Sequence, residues 1–210
     1  MIFMLRIIAL ITMAVDHIGL IFFPEYFIFR IIGRLAFPLF AFGVAQGYFY
    51  TKNLSKYLQR ILLLALISQP IFYLLINQEN LNICFTLTLG LSVIYLYDKG
   101  KNWWVKVFGI ISVLILGQWL NVEYGAYGIL LILCFYIFRN NILLILVGSL
   151  LIFSQALLNY SQILNLFAII PLFLVYYAKD ERIKINRWIQ YLFYPVHLLI
   201  IYIAGQIMSE

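Results

Sequence analysis

Long apolar runs alternate with short polar breaks along the whole chain. Each run is close to the ~20 residues that an α-helix needs to cross the hydrocarbon core of a bilayer. The breaks carry residues that end helices and form turns, such as Pro24 and the polar stretch 51–56. We therefore predict nine transmembrane helices, over residues 3–23, 27–50, 57–76, 82–97, 103–120, 124–138, 141–158, 162–178 and 188–207.

The composition excludes a soluble fold. Of the 210 residues, 65% are hydrophobic and 10% are charged, whereas soluble domains carry about 25% charged residues. Nine crossings and their connections use up the chain, so there is no room for a separate catalytic domain. We predict an all-α, polytopic integral membrane helix bundle that forms a single domain over residues 1–210. It is expected to be multi-pass in the cell membrane, meaning the plasma or inner membrane.

The basic residues fall on alternate breaks, which sets the predicted orientation. One side of the membrane carries Lys52, Lys56, Arg60, Lys99, Lys101, Lys106, Arg139, Lys179, Arg182, Lys184 and Arg187. The other side is marked by Glu25, Glu79, Glu123 and Glu210. By the positive-inside rule the basic side is cytoplasmic, so the N-terminus is predicted to be cytoplasmic. A cationic rim against anionic lipid accounts for the net charge of +6, so the lipid bilayer, and no nucleic acid, is the expected partner.

Several ionisable residues lie inside or at the edge of predicted helices. They are Arg6, Asp16, His17, Arg30, Arg34 and His197. An ionisable group at the bilayer centre costs ~2.5–3.5 kcal/mol or more unless it faces protein or water, so such a cluster indicates function. Apart from Arg6, these residues fall between the middle of the membrane and its outer face. We predict a substrate pocket at this depth, lined by Arg30, Gln69, Asn82 and Thr86, with Gln155 at a similar level.

The histidines are the candidates for acid–base chemistry. A histidine beside a carboxylate can take up a proton near neutral pH, and the carboxylate can orient its ring. His17 with Asp16 is the predicted base, and His197 is a second candidate. In a purely structural alternative, Asp16 neutralises Arg34 and the histidines only form hydrogen bonds. No Walker loop, dinucleotide fingerprint, nucleophile elbow or zinc spacing occurs, so no metal is expected.

Several motifs together resemble the TraX family of membrane proteins. The matching stretches are LRIIALITM at 5–13, DHIG at 16–19, RIIGRLAFPLFAF at 30–42, QGY at 46–48, LISQP at 66–70, NI at 82–83, FTL at 85–87 and YPVHL at 194–198. They cover both ends and the first half of the chain. The middle, from about 103 to 177, is similar mainly in hydropathy.

This resemblance implies acetyl transfer. The namesake of the family N-acetylates the amino terminus of the F-type pilin subunit, with acetyl-CoA as the expected donor. The resemblance implies the donor but not the residues that bind it. From the basic rim we predict that acetyl-CoA approaches from the cytoplasm as co-substrate and that Lys52, Lys56 and Arg60 bind its phosphates. The acceptor would be an amine or hydroxyl, on a pilin-type peptide N-terminus or a surface glycan, and would enter from the outer side.

Within this scheme the buried polar residues take roles in the reaction. His17, oriented by Asp16, would deprotonate the acceptor as it attacks the thioester. Arg34 or His197 would stabilise the developing oxyanion. Two other classes of function remain open. The cluster could form the substrate site of a transporter or proton-coupled permease, or the chain could be a non-catalytic membrane scaffold of a conjugation or secretion system.

Overall fold

The computed structural model describes residues 3–76, 79–139, 141–158, 160–178 and 187–209, which are helical apart from short connections. The elements are α1 (Phe3–Phe22), α2 (Phe27–Gly33), α3 (Ala36–Tyr50), α4 (Leu54–Ile76), α5 (Ile83–Lys99), α6 (Trp103–Trp119), α7 (Gly125–Ile137), α8 (Leu143–Leu158), a 3₁₀ segment (Tyr160–Ile169), α9 (Ile170–Tyr177) and α10 (Arg187–Ser209). The predicted all-helical class is therefore confirmed for the described residues. Each predicted span contains helix, and the second and eighth spans are each divided in two.

Four helical stretches are long and apolar enough to cross a membrane. They are Phe3–Phe22, Phe27–Tyr50, Leu54–Ile76 and Tyr191–Met208. Shorter apolar helices of 10–17 residues cover Trp103–Trp119, Gly125–Ile137, Leu143–Leu157 and Ile163–Tyr177. The chain is thus a membrane protein in character, while the number of nine crossings stays a prediction.

The outer surface of the bundle is apolar where a soluble protein would be polar. Leu63 of α4 is 57% exposed, Ile115 of α6 is 64% exposed, Leu150 of α8 is 67% exposed and Ile200 of α10 is 60% exposed. A soluble monomer seldom exposes so many large apolar side chains on successive helices. The hydrocarbon of a bilayer is the solvent that matches this surface.

The second predicted span is broken at Arg34 and Leu35, between α2 and α3. The cause lies four residues further along the chain, at Pro38 in the first turn of α3. Proline has no backbone N–H, and its ring clashes with the carbonyl four residues earlier, here that of Arg34. The break ends α2 at the depth of the predicted pocket.

The core is centred on α3, α5 and α7, which pack against one another. Phe37 and Leu39 of α3, Leu91 of α5, and Phe135 of α7 are almost completely buried. Helix α5 can approach α7 closely because Gly90 has no side chain, and a β-carbon there would overlap Ile132. This close contact gives the polar residues around it a rigid support.

Hydrogen bonds at the two ends of the bundle agree with helices that alternate in direction. At one end Asp98, near the end of α5, accepts from the hydroxyls of Tyr48 in α3 and Tyr136 in α7, at 2.7 and 3.0 Å. At the other end, the loop before α5 pairs with the loop before α7 through a bridge between Leu81 and Val122. Helices α3, α5 and α7 therefore run in the same direction, as the predicted topology requires.

Candidate functional site

The two histidines of the chain meet in the middle of the bundle. His17 lies on α1 and His197 on α10, and these two helices pack together. The Nδ1 atom of His17 is 2.8 Å from the Nε2 atom of His197. The rings are stacked, with centroids 5.0 Å apart and planes inclined by 16°. Both residues are buried, at 8% and 7% exposure, so the helix packing holds the pair in place.

The hydrogen bonds of the pair fix which nitrogen carries each proton. The Nδ1 atom of His197 lies 2.7 Å from the carbonyl oxygen of Phe193. Because a carbonyl oxygen only accepts, His197 Nδ1 must carry a hydrogen, and in the neutral ring Nε2 is then the acceptor. His17 Nδ1 therefore donates to His197 Nε2. This leaves the lone pair of the neutral dyad on Nε2 of His17.

Asp16 is not the partner of His17. Its carboxylate accepts a hydrogen bond from Arg30 at 2.7 Å, in an ion pair between α1 and α2. Neighbouring residues on a helix point about 100° apart, so Asp16 and His17 face different helices. Gly33 of α2 makes space for the carboxylate, since a β-carbon at that position would overlap Asp16. The predicted orientation of His17 by Asp16 is thus wrong, and His197 takes that place.

Arg34 lies at the break between α2 and α3 and contacts the 3₁₀ segment. Its guanidinium donates to the side-chain oxygen of Asn165 at 3.0 Å. Its Nε atom is buried and has no hydrogen-bond partner among the described residues. Asp16 and Arg34 still influence each other electrostatically, although Arg30 holds the direct ion pair. Arg30 and Arg34 thus reach different partners from one short stretch of helix.

Three other predicted pocket residues are engaged by the protein itself. The side-chain oxygen of Gln69 accepts from both the backbone and the side-chain N–H of Asn82, each at 2.9 Å. Asn82 also caps α5, where its oxygen accepts from the backbone N–H of Cys84 at 3.0 Å. The Thr86 hydroxyl donates to the backbone carbonyl of Glu123. The structure brings these residues to one level of the bundle, where they hold the loops before α5 and α7.

A cavity of about 940 Å³ runs through the bundle between α1, α3, α4, α5 and α10. Its basic lining residues lie towards the predicted cytoplasmic side: Lys52 in the connection between α3 and α4, Arg60 in α4 and Arg6 in α1. Its other end is lined by Met13, Ile83, Cys84 and Tyr194, about one helical turn below the histidine pair. The interior between them is mostly apolar.

The structure separates the three cations predicted to bind the donor. Lys52 and Arg60 line the cavity, whereas Lys56 is exposed and is absent from its lining. The Arg60 guanidinium lies 5.9 Å from the ring centres of both Tyr57 and Tyr191, and its Nε atom is buried without a hydrogen-bond partner among the described residues. The pair Lys52 and Arg60 is therefore placed to attract an anionic ligand to the cavity.

Glu123 is a site residue that sequence reasoning placed only on the outer face. It lies in the loop between α6 and α7, where its backbone N–H donates to Leu81 at 2.8 Å. Burial, and to a smaller extent the nearby Asp16, raises the pKa of its carboxyl to about 7. Arg34, the Ile83 backbone N–H and Arg30 act in the opposite direction. The sequence shows only a single glutamate in a short loop, so its proximity to Asp16, Arg34 and Arg30 could not be predicted from it.

The raised pKa of Glu123 predicts that the stability of the fold depends on pH. The folded chain holds a proton on Glu123 up to pH 7, whereas the unfolded chain releases it near 4.5. Because the folded state binds more protons in this window, stability falls as pH rises from about 4.5 to about 7. We expect thermal unfolding in detergent to occur at lower temperature across this window, and Glu123→Gln to flatten the slope. An unchanged slope in the variant would contradict the assignment.

The sequence of the chain is similar to those of known proteins. A family profile described as TraX protein matches residues 3–204. The probable fimbrial assembly protein FimC of Dichelobacter nodosus, serogroup H1, is 28% identical over an alignment of 229 residues including gaps. The alignment covers 95% of this chain and 93% of that protein. An uncharacterized protein of Rickettsia prowazekii (strain Madrid E) is 31% identical over 143 residues, covering 66% and 56%. No solved structure matches the chain.

Proposed function

The chain belongs to the TraX family, and we propose that it is a membrane-embedded acetyltransferase. The proposed reaction moves an acetyl group from acetyl-CoA to an amine or hydroxyl near the extracytoplasmic side. The observation that carries the proposal is the buried dyad of His17 and His197, which lies next to the end of a cavity with basic residues at its opposite end. A base and a donor channel are the two parts that such a reaction needs.

The dyad supplies a general base. An acceptor amine attacks the thioester carbonyl carbon, so that a carbon–nitrogen bond forms and the carbon–sulfur bond breaks. The proton that the amine loses goes to Nε2 of His17, which carries the free lone pair. The resulting imidazolium then gives this proton to the leaving thiolate of coenzyme A. His197 stabilises the charged ring through the hydrogen bond to Nδ1 of His17, the role often held by a carboxylate.

The cavity suits the donor. Coenzyme A carries phosphates at one end and the thioester at the other, joined by a long flexible arm. Lys52 and Arg60 would bind phosphate groups at the cytoplasmic end. The apolar interior would hold the arm, and the acetyl group would then lie near Met13 and Tyr194, below the dyad. No metal is needed in this scheme.

The acceptor would reach the dyad from the outer side. The fimbrial assembly role in the name of the Dichelobacter nodosus relative favours an acceptor that belongs to a surface appendage. We therefore propose a pilin-type peptide N-terminus first and a surface glycan second. The loops before α5 and α7, which are tied together by Leu81 and Val122, would border the acceptor entrance.

Binding of acetyl-CoA to the purified protein in detergent tests the proposal. Isothermal calorimetry should give saturable binding by the wild type. The double variant Lys52→Ala/Arg60→Ala should weaken it by roughly tenfold or more, because it removes two charge-assisted contacts to phosphate.

Lys56→Ala is the matched control, since Lys56 follows closely in sequence but does not line the cavity. It should bind acetyl-CoA nearly as well as the wild type, and the thermal unfolding of all variants shows whether they are folded. Equal losses in the control and the double variant would place the donor elsewhere. No binding by the folded wild type would overturn the proposal and favour a transporter or a scaffold.

A further inference from the structure

Tyr194 has a buried hydroxyl that makes no hydrogen bond to any residue that the structure describes. The residue is 4% exposed, and its oxygen has no hydrogen-bond partner among the described residues. A buried hydroxyl left unpaired costs about 1–3 kcal/mol of stability. Native proteins rarely keep such a group without a reason, so its surroundings indicate what could pair with it. In this case Tyr194 lines the cavity, at the end beside the dyad.

The position of Tyr194 relative to the histidines is set by α10. Tyr194 lies three positions before His197, so both lie on the same side of the helix, and their ring centroids are 5.6 Å apart. Tyr191, one turn earlier on α10, also lines the cavity but lies nearer Arg60. Tyr194 is thus the cavity tyrosine that contacts the dyad, through His197.

The two residues predicted to stabilise an oxyanion do not line this cavity. Arg34 donates to Asn165 and is absent from the cavity lining. In the neutral dyad the N–H of His197 is committed to Phe193, and its other nitrogen accepts from His17. Neither residue therefore has an N–H directed at a ligand in the cavity. The unpaired hydroxyl of Tyr194 is the donor that is available.

We propose that the Tyr194 hydroxyl donates a hydrogen bond to the carbonyl oxygen of the acyl thioester and so acts as a catalytic residue. This inference rests on the proposed function. When the acceptor attacks the carbonyl carbon, the carbonyl oxygen gains negative charge, and the hydrogen bond from Tyr194 strengthens. Tyr194 keeps its proton throughout. The proton of the acceptor passes to His17 and then to the thiolate of coenzyme A, so the step is balanced without Tyr194.

The test compares two ligands that differ only at the thioester carbonyl. S-ethyl-coenzyme A has a CH₂ group where acetyl-CoA has the carbonyl, and it keeps the phosphates and the arm. Calorimetry on the wild type should show acetyl-CoA binding about three- to tenfold tighter, the range for one neutral hydrogen bond. Tyr194→Phe should reduce this ratio to nearly one, while its affinity for S-ethyl-coenzyme A stays the same.

Tyr191→Phe is the control, because it removes a hydroxyl from the same cavity and should keep the ratio of the wild type. Tyr194→Phe keeps the ring and removes only an unpaired hydroxyl, so it should unfold at the same temperature as the wild type or higher. Infrared spectra of acetyl-CoA labelled with ¹³C at the carbonyl should show a red-shifted stretch in the wild type and not in Tyr194→Phe.

The outcomes separate this inference from the function on which it rests. If the wild type binds both ligands equally, or if Tyr194→Phe keeps the ratio, the inference is overturned while the donor site stands. If the folded wild type binds neither ligand, both the inference and the proposed acetyltransferase are overturned.

Discussion

Replacing His17 by Gln is expected to slow the proposed acetyl transfer strongly, while the protein keeps its fold and its affinity for acetyl-CoA. Glutamine keeps a polar amide of similar length at this position, but the amide cannot take a proton from the acceptor. General-base catalysis contributes about 10²–10⁴-fold to a rate, and we expect a loss in this range. The assay follows ¹⁴C-acetyl transfer from acetyl-CoA to cell envelopes of a strain that lacks the gene.

His197→Gln is the companion variant, and it distinguishes a base from its positioning residue. His17 retains its own imidazole in this protein, so the rate should fall less than in His17→Gln. The double variant should be no slower than His17→Gln alone, because residues that act as a unit are not additive. Full transfer by folded His17→Gln would remove the dyad from the mechanism.

Filling the cavity at Gly43 should weaken donor binding without disturbing the fold. Gly43 of α3 lines the cavity, and a β-carbon built there meets nothing within 4 Å. Gly43→Leu should therefore extend into open space and reduce acetyl-CoA affinity by about tenfold or more, which corresponds to about 1.4 kcal/mol or more. Replacing a helical glycine should also raise thermal stability slightly, since glycine is a poor helix former.

The control for Gly43→Leu is the same substitution at Gly205 of α10. Gly205 is not among the residues that line the cavity, and a β-carbon there makes an ordinary contact, 3.7 Å from Ile21. Gly205→Leu should bind acetyl-CoA like the wild type. Unimpaired binding by folded Gly43→Leu would show that the donor does not use this cavity.

The depth of each polar residue could be predicted from the sequence, but the contact it makes could not. Helix length and orientation placed His17 in the outer half of its span and His197 near the middle of its own, and the structure brings them together. Which neighbour a residue faces depends also on the rotation of its helix and on which helices adjoin. Asp16 is an example. It is next to His17 in the sequence and at nearly the same level, but its side chain faces α2 and pairs with Arg30.

Two site residues needed the packed structure to be recognised. Glu123 looked like a marker of the outer face because it lies in a short polar loop, but the loop folds against α5. Tyr194 is one of 16 tyrosines, and only its missing partner and its place in the cavity set it apart. Conversely, the sequence predicted Gln69 and Asn82 as pocket residues, but their side chains form a hydrogen bond with each other.

The dyad joins residues that are 180 positions apart in sequence, and this separation makes activity a check on biogenesis. During synthesis α1 enters the membrane with its histidine long before α10 is made. Until α10 docks, the cavity lacks one wall, and His17 lacks the partner that fixes its proton. Under the proposed function, a partly inserted chain would therefore not consume acetyl-CoA, because the docking of α10 completes both the bundle and the dyad.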